Sequence, residues 1–200
     1  VEVYHQFYRT DKFYPAWDVD YLFLGTFNPC CGEQLDYYYR RELNGFWDII
    51  KGYFDPNNEY PVGTFAELAT FMEVKKFGCV DVIKKVTFPD NRIGGICGQG
   101  YSDQELFRIE GFTREYTFCE IKNLILEKKI KKVFSTWGKR NNPVEFRILL
   151  NDFILFCNDN GVCFTPLPSP SGRIYRGVNI PIINGAWIDR IENDFCNQPV

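Results

Sequence analysis

Short apolar runs alternate along this chain with longer stretches of three-and-four periodicity. Asp20 to Phe27 (DYLFLGTF) is continuously apolar, broken by Gly25 and ended by Asn28-Pro29, the pattern of a strand buried on both faces. A polar loop, CCGEQLDYYYRR, follows. Leu43, Phe46, Trp47, Ile50 and Phe54 then predict a helix from about Glu42 to Phe54, stopped by Asp55-Pro56-Asn57-Asn58. A second helix is predicted over Thr64 to Lys76, with Thr64 as N-cap, Glu67 completing a capping box and Gly78 as its stop. Cys79 to Val86 reads as a short strand or turn, and Gly94, Gly95, Gly98 and Gly100 make 87–101 a loop. Helices are predicted over Asp103 to Ile109 and Tyr116 to Lys129, a strand over Lys132 to Trp137, and a long helix over Pro143 to Cys157. That helix has Asn142 as N-cap and Asn160-Gly161 as its stop; a strand from Val162 to Leu167 and a last helix from Pro181 to Asp194 close the order. Strands separated by helices predict an α/β fold, a mainly parallel sheet with helices on both faces. A ligand then belongs at the carboxyl ends of the strands, where the loops 28–41 and 166–176 lie.

The chain has 200 residues, 45% hydrophobic and 24% charged, without repeat or linker, so residues 1–200 form one domain. An aromatic share of 18% excludes disordered, collagen-like and coiled-coil classes. The net charge of −3 and a pI near 5.3 require any nucleic-acid site to be a local basic patch. The lysines of EKKIKK at 127–132 fit a solvated helix end. No apolar run reaches the roughly 18 to 20 residues of a membrane span, and Val1 to Thr10 lacks a signal-peptide core, which gives a soluble, cytoplasmic reading without membrane partners.

The eight cysteines include no Cys-x-x-Cys, and the only histidine, His5, sits at the N-terminus; neither a metal nor any other cofactor is expected. Cys79, Cys97, Cys119, Cys157 and Cys163 lie in apolar stretches and read as buried free thiols of a reducing compartment. A lone terminal histidine also argues against Cys-His and Ser-His-Asp hydrolases. GGICGQG at 94–100 lacks the lysine and the preceding strand of a phosphate loop.

What remains is GTFNP (25–29), YYRRELNGFW (38–47), GCVDVIKKV (78–86) and LPSPSGR (167–173), in order within one α/β domain. Together, over residues 20–176, these resemble the uracil-DNA glycosylase superfamily, closest to its mismatch-specific uracil/thymine and hypoxanthine branches. The resemblance implies a three-layer α/β/α sandwich on a four-stranded sheet of order 2-1-3-4. It also implies hydrolysis of the N-glycosidic bond of a deaminated base in DNA, uracil first, with hypoxanthine or mismatched thymine as further substrates, in base-excision repair; a monomer is expected. Such an enzyme extrudes the nucleotide, replaces its stacking with an aromatic face and reads its edge with an amide. By resemblance Tyr39 stacks on the extruded base and Asn28 holds the attacking water, with Phe27 and Asn44 as further base-binding residues. Read as residues alone, Tyr39 also suits the core, Asn28 a turn before proline, and Asn44 a helix cap. Phe46 and Trp47 belong to the apolar helix face. By the same resemblance Ser169, Ser171 and Gly172 belong to a rigid turn whose hydroxyls and N–H groups can grip phosphate, Arg173 stands where relatives insert a wedge, and Arg176 can neutralise a flanking phosphate. As residues alone, the segment reads as a proline-stiffened surface loop. Arg40, Arg41, Lys139 and Arg140 are candidates for a basic rim.

Departures from the family pattern bear on rate. GTFNP carries one residue more between glycine and Asn-Pro than the mismatch-specific pattern, and LPSPSGR has no histidine. Asp81, matching an acidic position of the hypoxanthine-type relatives, offers compensation, because an anion near C1′ stabilises an oxocarbenium-like transition state; a capping aspartate is its other reading. The altered spacing, the absent histidine and the acidic pI support a second class, a non-catalytic nucleic-acid or nucleotide-binding module. A small-molecule enzyme on the same sheet is a third.

Overall fold

The computed structural model describes residues 1–42, 44–89, 94–97, 106–107, 111–137, 143–171 and 180–193. Along the chain run β1 (Glu2–Tyr4), β2 (Tyr21–Gly25), α1 (Phe46–Phe54), α2 (Phe65–Lys75), β3 (Phe77–Asp81), β4 (Ile83–Thr87) and α3 (Gly94–Cys97). There follow β5 (Thr113–Tyr116), α4 (Phe118–Lys128), β6 (Lys132–Ser135), α5 (Val144–Asp159), β7 (Cys163–Pro166) and α6 (Ile180–Glu192). Four strands form a parallel sheet of order β3-β2-β6-β7. Numbered within this sheet alone, its strands run 2-1-3-4 in chain order, while the seven strands of the described chain also form a second sheet that the expectation did not include.

Side-chain alternation assigns the two faces of the parallel sheet. Phe23 and Phe134, paired across β2 and β6, stack at 5.0 Å, and Phe23 also meets Phe46 of α1 and Trp187 of α6. On the other face Leu22, Val133 and Phe164 are in register, and Phe164 lies edge-on to Phe153 of α5, which contacts Phe118 of α4. Helices therefore cover both faces, an α/β arrangement compatible with a three-layer sandwich. Phe46, Trp47, Ile49 and Ile50 anchor α1, each full burial contributing about 1.5–3 kcal/mol.

The pattern of 79–86, a short strand or turn, is two strands. β3 ends at Asp81 and β4 begins at Ile83, with Val82 alone between them. β4 leaves the parallel sheet for a second, antiparallel one of order β1-β4-β5. The pattern hides this junction because β3 is buried throughout, Asp81 included, and β4 opens on another buried residue, so no exposed residue separates the two strands.

The capping box of α2 is present, with Thr64 Oγ1 accepting from Glu67 N–H and Glu67 Oε2 accepting from Thr64 N–H. Helix α2 ends at Lys76, in the left-handed conformation at φ 54°, two residues before the expected stop. Gly78 lies inside β3, where a Cβ would stand 2.8 Å from Pro15 Cγ. The predicted Asn142 cap and most of the predicted 103–109 helix lie outside the described residues. Among the described residues no helix is long and apolar enough to cross a membrane.

The cysteines depart from the free-thiol reading. Cys31 and Cys97 form a disulfide with Cα atoms 4.9 Å apart, and Cys163 is also disulfide-bonded. Cys79 and Cys157 are buried thiols, whereas Cys119 is exposed, as is Cys30. Disulfides persist mainly in oxidising compartments, so the cysteines lend no support to a reducing one. Burial raises the Cys79 thiol well above the ordinary range, with a smaller push from Asp81, and raises Cys157 to about 12. Iodoacetamide is therefore expected to label Cys30 and Cys119 and to spare Cys79 and Cys157 in the native protein, with Cys31 and Cys97 recovered as one linked peptide without reductant. Peptide mapping by mass spectrometry checks this.

Asp55 closes α1. Its Oδ1 accepts from Glu59 N–H at 2.8 Å, and its Oδ2 from Tyr60 N–H at 3.0 Å and from the Lys51 ammonium. Burial by itself raises this carboxyl, but the Lys51 bond and the two N–H groups outweigh it and hold the pKa at about 2. A depressed carboxyl stabilises the fold above its unfolded value, about 3.9, and loses that contribution as pH falls through about 2. Asp55→Asn is expected to melt below wild type at pH 7, the gap closing between pH about 4 and 2. Thermal melts across that range measure it.

Candidate functional site

The carboxyl ends of β2, β3 and β6 meet where the strand order reverses, the position at which α/β sheets leave a crevice. β2 supplies Gly25 and the following Asn28-Pro29, β3 supplies Asp81, and β6 is followed by Thr136. The register places Gly25 opposite Asp81 and Leu24 opposite Ser135.

The N-terminal segment adds a residue that the sequence reading set aside. Beyond β1 the chain runs between β4 and the 28–30 segment. His5 N–H donates to Lys84 O at 2.9 Å, Gln6 N–H to Asn28 O at 2.7 Å, and Cys30 N–H to Tyr4 O at 2.9 Å. His5 is consequently 1% exposed, ringed by Phe7, Phe13, Phe27 and Tyr38 at 4.9 to 5.8 Å. Its Nε2 lies 2.9 Å from Asp81 Oδ2. The signal for this was in the alternation of Val3, His5 and Phe7, all buried, with Tyr4 and Gln6, which are half-buried. A histidine at the start of the chain reads as peripheral only while the pairing of that segment is unknown.

Asp81 is the hub. Its side chain is 4% exposed, and Oδ2 accepts from both His5 and the Asn28 amide, the latter at 3.3 Å. The backbone carbonyl of Asp81 accepts from Thr117 Oγ1 at 2.8 Å, which steadies the β3–β4 junction. The second oxygen, Oδ1, reaches over Gly25, where a Cβ would stand 2.1 Å away. The Tyr39 hydroxyl approaches the same empty volume, 2.8 Å from that Cβ position. The missing side chain of Gly25 is the space in which the carboxylate and the phenol come together.

Tyr39 is half-buried with φ at 60°, an uncommon conformation for an aromatic residue. Thr136 donates its hydroxyl hydrogen to Leu24 O at 3.1 Å, so in the 3.1 Å contact between Tyr39 and Thr136 the phenol is the donor. One face of the Tyr39 ring is stacked on Phe46, centroids 4.0 Å apart and planes 14° apart. Phe46 and Trp47 are core residues, and Trp47 Nε1 donates to Tyr38 O at 2.9 Å, tying α1 to the Tyr39 loop.

Other sequence candidates fall differently. Asn44 Oδ1 accepts from Phe46 N–H at 3.0 Å in a turn that leads into α1, while the N-cap position itself is held by Gly45. Phe27 is 2% exposed and turned toward the His5 ring, so it packs the interior instead of offering a face to a base. Arg40 holds Val62 O, Gly63 O and Asp36, a structural set in place of a free rim charge. Ser169 Oγ accepts from Ser171 N–H at 3.3 Å in a local turn, with both serines half-buried. This loop is fastened to the Tyr39 side through Gly45 N–H donating to Pro170 O, and to α6 through Trp187 Nε1 donating to Pro168 O, each at 2.9 Å. Gly172, Arg173, Arg176, Lys139 and Arg140 lie outside the described residues.

No protein-family model, curated protein or solved structure matches this chain.

Gly25→Ala forces Asp81 or Tyr39 to move, and overpacking of this kind costs about 1–3 kcal/mol. Urea unfolding is expected to register that loss. Gly52→Ala, on α1 where nothing lies within 4 Å of the added Cβ, is expected to match or exceed wild type.

Proposed function

We propose that this chain is a monofunctional DNA glycosylase of the uracil-DNA glycosylase type, which hydrolyses the N-glycosidic bond of a deaminated base, uracil first, and leaves an abasic site. The observation that carries the reading is the bond between the Asn28 amide and the Asp81 carboxylate at the carboxyl ends of neighbouring parallel strands, with Tyr39 across Gly25. The four motifs with which the resemblance began contribute Gly25 and Asn28, Tyr39, Asp81, and the 167–171 loop. The loop is fastened to the others by the bond between Gly45 and Pro170.

In this reading the bond from C1′ to the base breaks with its electron pair leaving on the base. The oxygen of a water bonds to C1′, and the proton that it gives up ends on the departing base anion, so that the products are the neutral base and an abasic sugar. Asn28 orients that water, and the Asp81 carboxylate stabilises the positive charge that develops on the sugar. Tyr39 supplies the wall against which the extruded base rests. Ser169, Ser171 and the segment that follows grip the duplex backbone, with Arg173 as the wedge. The reaction needs no metal.

A non-catalytic nucleic-acid or nucleotide-binding module is the second reading. It is favoured by the engagement of Tyr39, whose ring is stacked on Phe46 and whose hydroxyl is bonded to Thr136.

Single-turnover incubation with oligonucleotides carrying uracil, hypoxanthine, xanthine or a G·T mismatch, in single and double strands, followed by alkaline cleavage, separates the two. Strand breaks are expected at uracil, and Asn28→Ala is expected to lower the rate by at least about 100-fold while sparing most binding. Salt-dependent DNA binding without product, at enzyme excess and with the protein folded, gives the module instead.

A further inference from the structure

We infer that His5 is a positioning residue which, through Asp81, sets the direction of the Asn28 amide and leaves its carbonyl oxygen as the group offered to substrate. The inference rests on the glycosylase reading for what the array acts upon, but its geometry stands apart from that reading. It begins at a backbone donor. Phe7 N–H points at His5 Nδ1 at 3.0 Å, and an N–H can only donate, so Nδ1 carries no hydrogen. The ring proton is then on Nε2, and Nε2 donates to Asp81 Oδ2 at 2.9 Å. Oδ2 is thereby an acceptor, and the group of Asn28 that faces it at 3.3 Å has to be the NH₂ end of the amide. The Asn28 carbonyl oxygen turns away from Asp81.

Each link excludes its reverse. A proton on Asp81 Oδ2 would need Nε2 as acceptor, which moves the ring hydrogen to Nδ1 and sets it against Phe7 N–H. A flipped Asn28 amide would set its carbonyl oxygen against the carboxylate. One main-chain N–H thus decides the imidazole tautomer, the role of the carboxylate and the orientation of the amide. The aromatic ring around His5 adds the steric half of the arrangement, holding the imidazole plane while Asp81 accepts from it. An acceptor oxygen at Asn28 suits a substrate that presents a hydrogen, either the attacking water or an N–H on the edge of a uracil-like base.

Two variants divide the function of the ring. His5→Gln places an amide N–H near the Nε2 position and keeps the donor to Asp81. His5→Asn keeps an acceptor near Phe7 N–H and is too short to reach Asp81. On uracil-containing oligonucleotide, His5→Gln is expected to stay within about 3-fold of wild type. His5→Asn is expected to lower the single-turnover rate by about 10–100-fold, the usual effect of losing a group that orients a reacting one, with DNA affinity unchanged. A His5→Asn protein that folds and turns over at the wild-type rate, or a His5→Gln protein that folds and is as slow as His5→Asn, overturns the inference.

Long-range ¹H–¹⁵N spectra of wild type supply a readout that needs neither activity nor a variant. A neutral ring protonated on Nε2 is expected, and a ring protonated on Nδ1 overturns the array. If wild type cleaves none of the oligonucleotides while the spectrum has the Nε2–H signature, the glycosylase reading fails and the array stands.

Discussion

A carboxylate taken out of water costs several kcal/mol unless donors replace its hydration. Asp81 meets that cost with an imidazole N–H and an amide N–H on one oxygen, while the other occupies the space that Gly25 leaves empty. Both donors come from segments far away in the chain, and both are delivered by main-chain pairing. His5 follows β1, which pairs with β4, and Asn28 follows β2, which pairs with β3. Asp81 stands at the point where β3 passes into β4, so the two sheets are joined where their polar groups are concentrated. If any one of these pairings slipped by a residue, the alternation of side chains would turn a donor away from the carboxylate.

Around that polar hub the aromatic content does the positioning. The Tyr39 ring lies flat on Phe46, which is edge-on to Phe23, which in turn stacks with Phe134 and Trp187. This connects a candidate base wall to the centre of the parallel sheet through ring contacts alone. Offset and edge-on ring pairs have preferred geometries, each contributing about 0.5–1.5 kcal/mol beyond area burial, so the chain of contacts defines a ring plane more tightly than aliphatic packing would. The left-handed backbone of Tyr39 belongs to the same constraint. Tyr38, next to it, points inward to donate to Phe13 O, while Tyr39 turns toward Thr136.

The loops are fastened one to another. The segment after Asn28 is closed by the Cys31–Cys97 disulfide to α3, the Tyr39 loop is bonded to the 166–171 loop through Gly45 and Pro170, and that loop is bonded to α6 through Trp187 and Arg190. An arrangement of this kind suits a site whose task is to hold groups in fixed directions, because cross-linked loops leave less conformational freedom to be lost on binding.

Elements whose cause is local were legible in the sequence. The α2 capping box, the buried run of β2, the Asn160-Gly161 end of α5 and the α/β class all depend on neighbours a few residues apart, and the pattern of side chains carries that information directly. Asn28, Tyr39 and Asp81 were legible as candidates through the motifs that contain them, GTFNP, YYRRELNGFW and GCVDVIKKV. Tertiary structure alone decided the rest. His5 read as peripheral until the pairing of β1 with β4 turned it inward. The β3–β4 junction was invisible because Asp81, the one polar residue there, is buried like its neighbours Val80, Val82 and Ile83, and its burial is a property of the fold. The Cys31–Cys97 bridge spans 66 residues, a separation over which spacing says nothing about proximity. Hydrogen-bond direction at Asp81 depends on which donors arrive from other segments, and their arrival is a property of the folded chain.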